Sequence, residues 1–166
     1  MRFGPATEYA LAMPEESLLT DEVRALIGQT GEPASVHVTP QVFIRATETF
    51  TRRHVRPPAE GAPLPGYVVA GLTTNGDAPA LPSLMPNSLL IANEWSFERP
   101  LRMGEQLTAQ SRIADIVERF GGQFGYSLHF RTEVEYRDRD GAVVARAGHT
   151  MMQYDASEAR RGEDES

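Results

Sequence analysis

Hydrophobic and polar residues follow two different spacings along this chain, one in each half. In the second half they alternate, over the short stretch 94–98 and over the longer stretches 106–113, 124–137 and 143–154. A period of two is typical of β-strands that bury one face. The dipeptide Asp140-Gly141 separates the last two stretches and favours a tight hairpin turn. The pattern therefore predicts long antiparallel strands from residue 94 onward.

The first half predicts helices of limited length. Apolar residues with helical spacing occupy positions within 19–27, Thr20 can cap them, and Gly28 can end the helix. Residues 35–38 then form a brief β-prone segment. A second helix is predicted to begin at Thr39-Pro40 and to end near Arg53, with one apolar stripe made of Val42, Phe43, Ala46 and Phe50.

Residues 82–93 are predicted to form a third helix that is buried. Ser83 can cap it, and apolar side chains surround most of its circumference: Leu84, Met85, Leu89, Leu90 and Ile91. Loops rich in proline and glycine, 56–66 and 73–82, precede it, with the short apolar piece 67–72 between them. A helix that is apolar on most sides must be covered, and the strands that follow can wrap around it. The pattern indicates an α+β fold, a single hot-dog domain whose antiparallel sheet wraps around a central helix.

The prolines support this division of the chain. All 12 lie between Pro5 and Pro100. Because proline cannot donate a hydrogen bond to a sheet, the second half is free to form continuous strands. We predict a domain over residues 15–154 after an N-terminal extension, 1–14. Residues 155–166 lack large apolar side chains and are predicted to be a disordered acidic tail.

Composition excludes several classes of function. The chain has a net charge of −7 and no lysine, which disfavours binding to nucleic acid. No apolar run approaches the roughly 20 residues that cross a bilayer, so we expect no membrane span. Cysteine is absent and the 4 histidines are scattered, so neither a disulfide framework nor a metal site is expected. The N-terminus has no secretory pattern, and we predict a cytoplasmic protein.

One stretch of the chain resembles a known family signature. Residues 94–105, EWSFERPLRMGE, followed by Leu107-Thr108-Ala109, are similar to the E-W-x-F-x-R-P-L-R-x-G-D-x-L pattern in the N-terminal half of MaoC-like dehydratases. Residues 136–145 resemble the last hairpin of the same family, and the similarity in order and spacing covers residues 19–154. The resemblance implies a hot-dog fold. It also implies a role in an enoyl-CoA hydratase or 3-hydroxyacyl dehydratase, which adds water reversibly to a trans-2-enoyl thioester of coenzyme A or acyl carrier protein.

The chain departs from the family where the catalytic residues are expected. In MaoC-type hydratases, the Asp and the His of a Gly-Asp-x-Asn-Pro-x-His segment act together on a water molecule. Here residues 51–58, after the second helix, read TRRHVRPP and contain neither the Asp nor the Asn. Family members of the N-terminal type commonly lack this dyad and pair with a catalytic hot dog. The resemblance therefore implies an acyl-thioester ligand, no cofactor, and a homodimer or a heterodimer with a catalytic MaoC-like subunit.

The candidates for substrate binding are a basic cluster and one asparagine. The cluster is the only dense one in this acidic chain and consists of Arg52, Arg53, His54 and Arg56. Guanidinium groups can hold the phosphates of coenzyme A through paired hydrogen bonds. The alternative is a solvated helix end, where cations are favoured by the helix dipole. Asn93 lies where the predicted third helix meets the first long strand.

Three residues are candidates for a catalytic group. Asp77 belongs to the only Gly-Asp dipeptide but is not followed by Asn or His. Glu94 follows Asn93, and some hot-dog thioesterases use a carboxylate near their helix, although the family signature also accounts for Glu94. His149 shares a strand face with Ala147 and can line an acyl tunnel or be a hydrogen-bonded core histidine.

Three functions follow from these residues. The leading hypothesis is the non-catalytic subunit of a hydratase or dehydratase, which shapes the acyl-CoA tunnel while a partner supplies Asp and His. The alternatives are an acyl-CoA-binding protein without turnover and a thioesterase that uses Glu94 or Asp77.

Overall fold

The four alternating stretches are strands, as the pattern predicts, and the brief segment near residues 35–38 adds a fifth strand to the same antiparallel sheet. A computed structural model of the chain describes residues 17–72, 78–121 and 123–157. Its strands are β1 (Ala34–His37), β2 (Asn87–Phe97), β3 (Gln106–Arg119), β4 (Ser127–Arg137) and β5 (Val143–Tyr154). Their order across the sheet is β1-β3-β4-β5-β2, so that β1 and β2 are the two edges.

The two faces of the sheet differ in polarity because side chains alternate along each strand. On β4 the predicted apolar face is buried: Leu128 and Phe130 are 0% exposed and Tyr136 is 3% exposed. We call this the inner face, since the helical segments cover it. The opposite face carries arginines and glutamates and is called the outer face.

Both predicted N-terminal helices are present, and the first is shorter than expected. Helix α1 covers only Asp21–Arg24, where the side chain of Thr20 accepts a hydrogen bond from the backbone of Val23. Helix α2 spans Pro40–Thr51 and ends at Arg52, whose positive φ of 54° is typical of a helix C-terminus. In the described part of the chain, no helix is long and apolar enough to span a membrane.

A 3₁₀ helix, Gly66–Gly71, is the element that lies against the inner face. It contacts β2 and β5 on one side and α2 on the other. Its Val68 and Val69 are 0% and 1% exposed. Gly71 permits the close approach of α2, because a Cβ atom there would lie 3.1 Å from the carbonyl oxygen of Val42. The short apolar piece between the two predicted loops is thus the centre of the fold.

The predicted buried helix over residues 82–93 is wrong. Residues 87–93 belong to β2, which pairs with β5 from Asn87↔Tyr154 to Phe97↔Ala145. The apolar run Leu89, Leu90 and Ile91 is 42–46% exposed along the sheet edge instead of being wrapped. The physical reason is that a short, continuous apolar run has no hydrophobic period, so the sequence pattern does not distinguish a strand from a buried helix.

Two hydrophobic clusters fill the inner face. The first lies between the sheet and the helical layer of α2 and the 3₁₀ helix, and includes Phe43, Val69 and Ala147. The second lies under α1 and the segment before β2, and includes Ile113 and Phe130. That segment is held by Gln153 of β5, whose side chain accepts from the backbone of Leu84 and donates to the carbonyl of Pro82; the distances are 2.9 and 2.7 Å.

The predicted terminal segments fall mostly outside the described residues. These include the extension 1–14 and residues 158–166 of the predicted tail. At the start of the tail, the backbone N–H of Ala156 donates to the side-chain oxygen of Asn87 at 3.0 Å, which ties residues 155–157 to the beginning of β2. Disorder of the remaining tail stays a prediction.

Candidate functional site

A cavity of about 380 Å³ opens beside the edge strand β2, between the helical layer and the inner face of the sheet. We call it the β2 cavity. Its volume falls in the range of roughly 300–1,000 Å³ that is typical of small-molecule sites. Most of its walls are apolar or aromatic: Phe50, Val69, Ala70 and Leu72 come from the helical layer, and Leu90, Trp95, Tyr136 and Ala147 come from the sheet.

An aromatic group forms one wall of the cavity. The ring of Phe50, at the end of α2, stacks on Tyr67 with 5.5 Å between ring centres. The same ring meets Trp95 of β2 edge-on at 5.7 Å. Contacts of this kind stabilise a pair by about 0.5–1.5 kcal/mol beyond the burial of area. Phe50 itself is 49% exposed, so this wall presents apolar surface that the described residues leave uncovered.

The space exists because β5 carries small residues on the inner face. Ala145 and Ala147 are 0% and 3% exposed, and Ala147 lines the cavity. Interiors are normally packed to the density of organic crystals, so a larger side chain at Ala147 would close this space. Ala147, Phe50 and Trp95 were not among the site residues predicted from the sequence. The available signal was the pair of alanines flanking Arg146 in an otherwise bulky strand.

Two polar side chains of the cavity lining contact each other, the exposed Asn93 and the half-buried His149. Asn93 of β2 pairs in register with His149 of β5, and the two lie on the inner face. The Nδ1 atom of His149 lies 2.5 Å from the Oδ1 atom of Asn93. The structure therefore brings together two of the predicted site residues, one proposed for binding and the other for catalysis.

Tyr136 contributes a third polar group to the lining. Burial raises the pKa of its hydroxyl to about 12. The group is therefore protonated at neutral pH and can act as a hydrogen-bond donor, whereas it cannot serve as a base.

The predicted basic cluster lies directly after α2, two residues beyond the cavity-lining Phe50. Its members Arg52, Arg53 and Arg56 are exposed, and in the described ranges none of them has a carboxylate partner. His54 differs, because its Nδ1 atom lies 2.5 Å from the carboxylate of Glu48. The cluster is therefore a surface with three available guanidinium groups next to an apolar cavity.

Glu94 does not reach the cavity. Successive residues of a strand point to opposite faces, so Glu94 lies on the outer face while its neighbour Asn93 lies on the inner one. Its Oε2 atom is 3.2 Å from Arg131, and 62% of its side chain is exposed. A carboxylate that is solvated and paired with arginine is poorly placed to act on a thioester in the cavity. Asp77, the other carboxylate candidate, lies outside the described residues.

The outer face carries a network of ion pairs around Glu133, which is 8% exposed. Arg112 approaches one oxygen of its carboxylate at 2.8 Å and Arg131 the other at 3.4 Å. Burial alone raises the pKa of this carboxyl group. The hydrogen bond from Arg112 and the charges of Arg112, Arg131 and Arg146 outweigh burial, so that the pKa lies below its usual value.

This network predicts how stability responds to acid. A carboxyl group whose pKa is lowered on folding stabilises the protein above its unfolded pKa of about 4.3, and this contribution is lost as the pH falls through the lower folded value. We expect Glu133→Gln to flatten the fall in the free energy of unfolding in this acidic range. Urea denaturation at a series of pH values from about 3 to 7 measures how the free energy of unfolding depends on pH in each variant. Glu32→Gln, the same change at an exposed loop residue, is the control, and an equal change in slope in both variants would contradict the prediction.

The signature that carried the family resemblance has a structural role. Arg99 Nη2 lies 2.5 Å from Glu105 and 3.2 Å from Asp138, so it joins the loop after β2 to the β4–β5 turn. The side chain of Glu105 also accepts from the backbone of Arg102 at 3.0 Å. Gly104 has a φ of +77°, which favours glycine. These residues shape the loop after β2, at the opposite end of the strand's second half from Asn93.

In the described residues, no group of three or more histidines and carboxylates could hold a metal ion.

Comparison with known proteins agrees with this architecture. A sequence model of the family described as "FAS1-like, dehydratase domain region" matches residues 25–147. No curated protein matches the chain in sequence.

Three solved structures share the fold at low sequence identity. The ChsH1-ChsH2 complex from Mycobacterium tuberculosis is 12% identical, with a TM-score of 0.53 over 80% of this chain and 87% of that one. A MaoC-like dehydratase from Rhodospirillum rubrum is 16% identical, with a TM-score of 0.50 over 77% and 92% of the two chains. The HadBC (3R-hydroxyacyl-ACP dehydratase) complex from Mycobacterium tuberculosis is 18% identical, with a TM-score of 0.50 over 81% and 99%. The predicted hot-dog fold is confirmed.

Proposed function

Because the chain belongs to the FAS1-like dehydratase-region family, we propose that it is the non-catalytic subunit of an acyl-thioester hydratase or dehydratase. In this role the β2 cavity holds the acyl group, and a partner hot dog supplies the Asp and the His that act on water. The observation that carries the proposal is the open apolar cavity beside the unpaired sheet edge β2. In the segment where the family has its catalytic Asp, residues 51–58, this chain has no carboxylate.

The arginines after α2 fit the other end of such a ligand. Coenzyme A and the carrier-protein arm both bear phosphate groups, and guanidinium groups bind phosphate through paired, charge-assisted hydrogen bonds. Arg52, Arg53 and Arg56 are available for this purpose, and the cavity begins at Phe50, so one extended ligand can reach both.

The edge strand supports the need for a partner. Its exposed Leu89, Leu90 and Ile91 sit beside an unpaired row of backbone groups, which is a template for pairing with another chain. Two of the similar structures are complexes, ChsH1-ChsH2 and HadBC. A partner hot dog placed on β2 would cover the mouth of the cavity and bring its own dyad to the thioester end of the ligand.

The two subunits have different roles in this proposal because they carry different chemical groups. In hydration, a base removes a proton from water, the water oxygen bonds to carbon 3 of the enoyl thioester, and a proton is added to carbon 2. The partner's dyad performs these proton transfers. This chain fixes the acyl group in one orientation and excludes bulk water from its apolar part, which lowers the barrier by positioning.

Activity measurements on the chain with and without a partner test the proposal. We expect the chain alone to hydrate crotonyl-CoA no faster than buffer, and a catalytic hot dog from the same gene neighbourhood to become active, or to accept longer acyl groups, when the chain is added. Substantial hydration by the chain alone, retained after repeated purification, would rule out the non-catalytic role.

The geometry also fits a second function, an acyl-CoA-binding protein without turnover. The cavity and the three available arginines are all that such a protein requires, and neither depends on a partner. Tight binding of an acyl-CoA together with failure to form a complex with any hydratase subunit would favour it. A thioesterase reaction is tested separately: release of free thiol that survives in Glu94→Gln and Asp77→Asn would eliminate those two residues as its catalysts.

A further inference from the structure

A row of polar side chains crosses the inner face of the sheet. Asn93 of β2 pairs with His149 of β5, and His149 pairs with Thr132 of β4. The rows on either side of it are apolar, with Leu90, Met151 and Phe130 in one and Trp95, Ala147 and Val134 in the other. Asn93 is exposed and His149 is half-buried, so an acyl chain that lies over them would take them out of water, which costs free energy unless the ligand offers hydrogen bonds in exchange. The row therefore marks a place where a polar ligand atom would be stabilised.

Asn93 and His149 satisfy only part of each other's hydrogen-bonding capacity. The amide oxygen of Asn93 can only accept, so the Nδ1 atom of His149 donates across the 2.5 Å that separates them. In the neutral ring, Nε2 is then an acceptor, and the amide nitrogen of Asn93 remains a donor. Within the described ranges neither atom has a partner. Since both side chains line the β2 cavity, one acceptor and one donor stand side by side between apolar walls.

We propose that the β2 cavity takes an acyl group that carries a hydroxyl along its chain, beyond the carbons at which water is added. A hydroxyl both donates and accepts, so it can donate to Nε2 of His149 and accept from the amide of Asn93 at once. The remaining methylene groups contact Phe50, Val69 and Leu90. The inference rests on the proposed function and deepens it by naming the class of acyl group.

The hydroxyl belongs to the distal part of the acyl group because the reacting carbons lie at the partner's dyad. A plain alkyl chain fits the same walls but displaces water from the Asn93–His149 pair without replacing its hydrogen bonds. Sites built to bind a hydroxyl discriminate against the analogue that lacks it for this reason.

Fluorescence offers a direct test, because Trp95 is the chain's single tryptophan and lies in the cavity wall. The full chain is titrated with hexanoyl-CoA and with its 4-, 5- and 6-hydroxy derivatives. We expect at least one hydroxy derivative to bind more tightly than hexanoyl-CoA by about tenfold or more, because two additional hydrogen bonds of ordinary strength allow a gain of this size. Equal binding, or a preference for hexanoyl-CoA, overturns the inference and leaves the proposed function standing. Failure of every ester to bind contradicts the proposed function itself.

Substitutions test which side chains cause the preference for the hydroxy ester. In Asn93→Leu and His149→Phe we expect the preference for the hydroxy ester to disappear while hexanoyl-CoA still binds. His129→Phe, on the outer face of β4, is the matched control and should keep the preference.

The pair 3-hydroxybutyryl-CoA and butyryl-CoA tests the position of the hydroxyl group along the acyl chain. A tenfold preference for the 3-hydroxy ester that is lost in His149→Phe would assign the pair to the reacting hydroxyl and overturn the distal assignment. The comparison of esters on the unmodified chain remains decisive if a variant fails to fold.

Discussion

Replacing Ala147 with phenylalanine is expected to weaken acyl-CoA binding by roughly a hundredfold or more, which corresponds to about 2.8 kcal/mol. Ala147 is 3% exposed, and its methyl group forms part of the cavity wall on β5. A phenyl ring at this position would extend between the sheet and the helical layer and occupy the space assigned to the acyl chain. Isothermal titration of the full chain with hexanoyl-CoA measures the effect.

Two further variants separate blocked binding from damage to the fold. Thr150→Phe places the same ring on the same strand but on the outer face, and it should leave affinity unchanged. Ala147→Ser keeps the cavity nearly at its present size and should retain binding. Since overpacking costs about 1–3 kcal/mol, thermal unfolding of Ala147→Phe must show that the variant is folded under assay conditions. A folded Ala147→Phe with unchanged affinity would show that the acyl group binds elsewhere.

Placing a charge on the edge strand is expected to disrupt association. Leu89 lies on the outer face of β2 and is 44% exposed. An arginine buried without a partner in an interface costs about 2–5 kcal/mol, so Leu89→Arg should raise the dissociation constant of the dimer or heterodimer at least about thirtyfold. Analytical ultracentrifugation over a concentration series measures this change.

A matched control for this variant is available on the opposite side of the molecule. Ile27 is 41% exposed, close to the value for Leu89, and lies in the turn after α1, near β3 and far from β2. Ile27→Arg adds the same charge to a similarly exposed apolar site and should leave association intact. Equal weakening by the two variants would indicate a general effect of charge and would remove β2 as the interface.

The strands were predictable because the alternation of apolar and polar side chains along a strand is a local property of the sequence. In β3 and β4 most of the buried side chains lie on one face, so the alternation of side chains appears directly in the sequence. The cap at Thr39-Pro40 likewise marked the start of α2 from local geometry alone. The hot-dog class followed from the number and length of these strands, together with the family signature.

The centre of the fold was not predictable in the same way. Leu89, Leu90 and Ile91 form a continuous apolar run, and such a run has no period that distinguishes a strand at the sheet edge from a buried helix. The true central element is the 3₁₀ helix at Gly66–Gly71, which is only six residues long. A segment so short has no helical period to detect, and its burial depends on α2 and the sheet meeting around it.

The candidate site was recovered in part. His149 was expected on an inward face, and it lines the cavity. Asn93 and Glu94 were expected together, but adjacent residues of a strand face opposite ways, and only Asn93 reaches the cavity. The aromatic wall depends on Phe50 approaching Trp95 from a distant part of the chain, which sequence spacing does not reveal.

The irregularity at Ile91 governs which residues of β2 can share the cavity. Leu90 pairs with Met151 and Ala92 with Thr150, so Ile91 is one additional residue in a strand that otherwise matches β5 one to one. Leu90 and Asn93 are three positions apart and would face opposite ways in a regular strand, yet both line the cavity. If Ile91 instead took its own place in the ladder opposite Thr150, Asn93 and Trp95 would move to the outer face and Glu94 would face inward. The bulge therefore keeps Leu90, Asn93 and Trp95 on the same face of β2, and this makes the lining of the cavity apolar and neutral instead of charged.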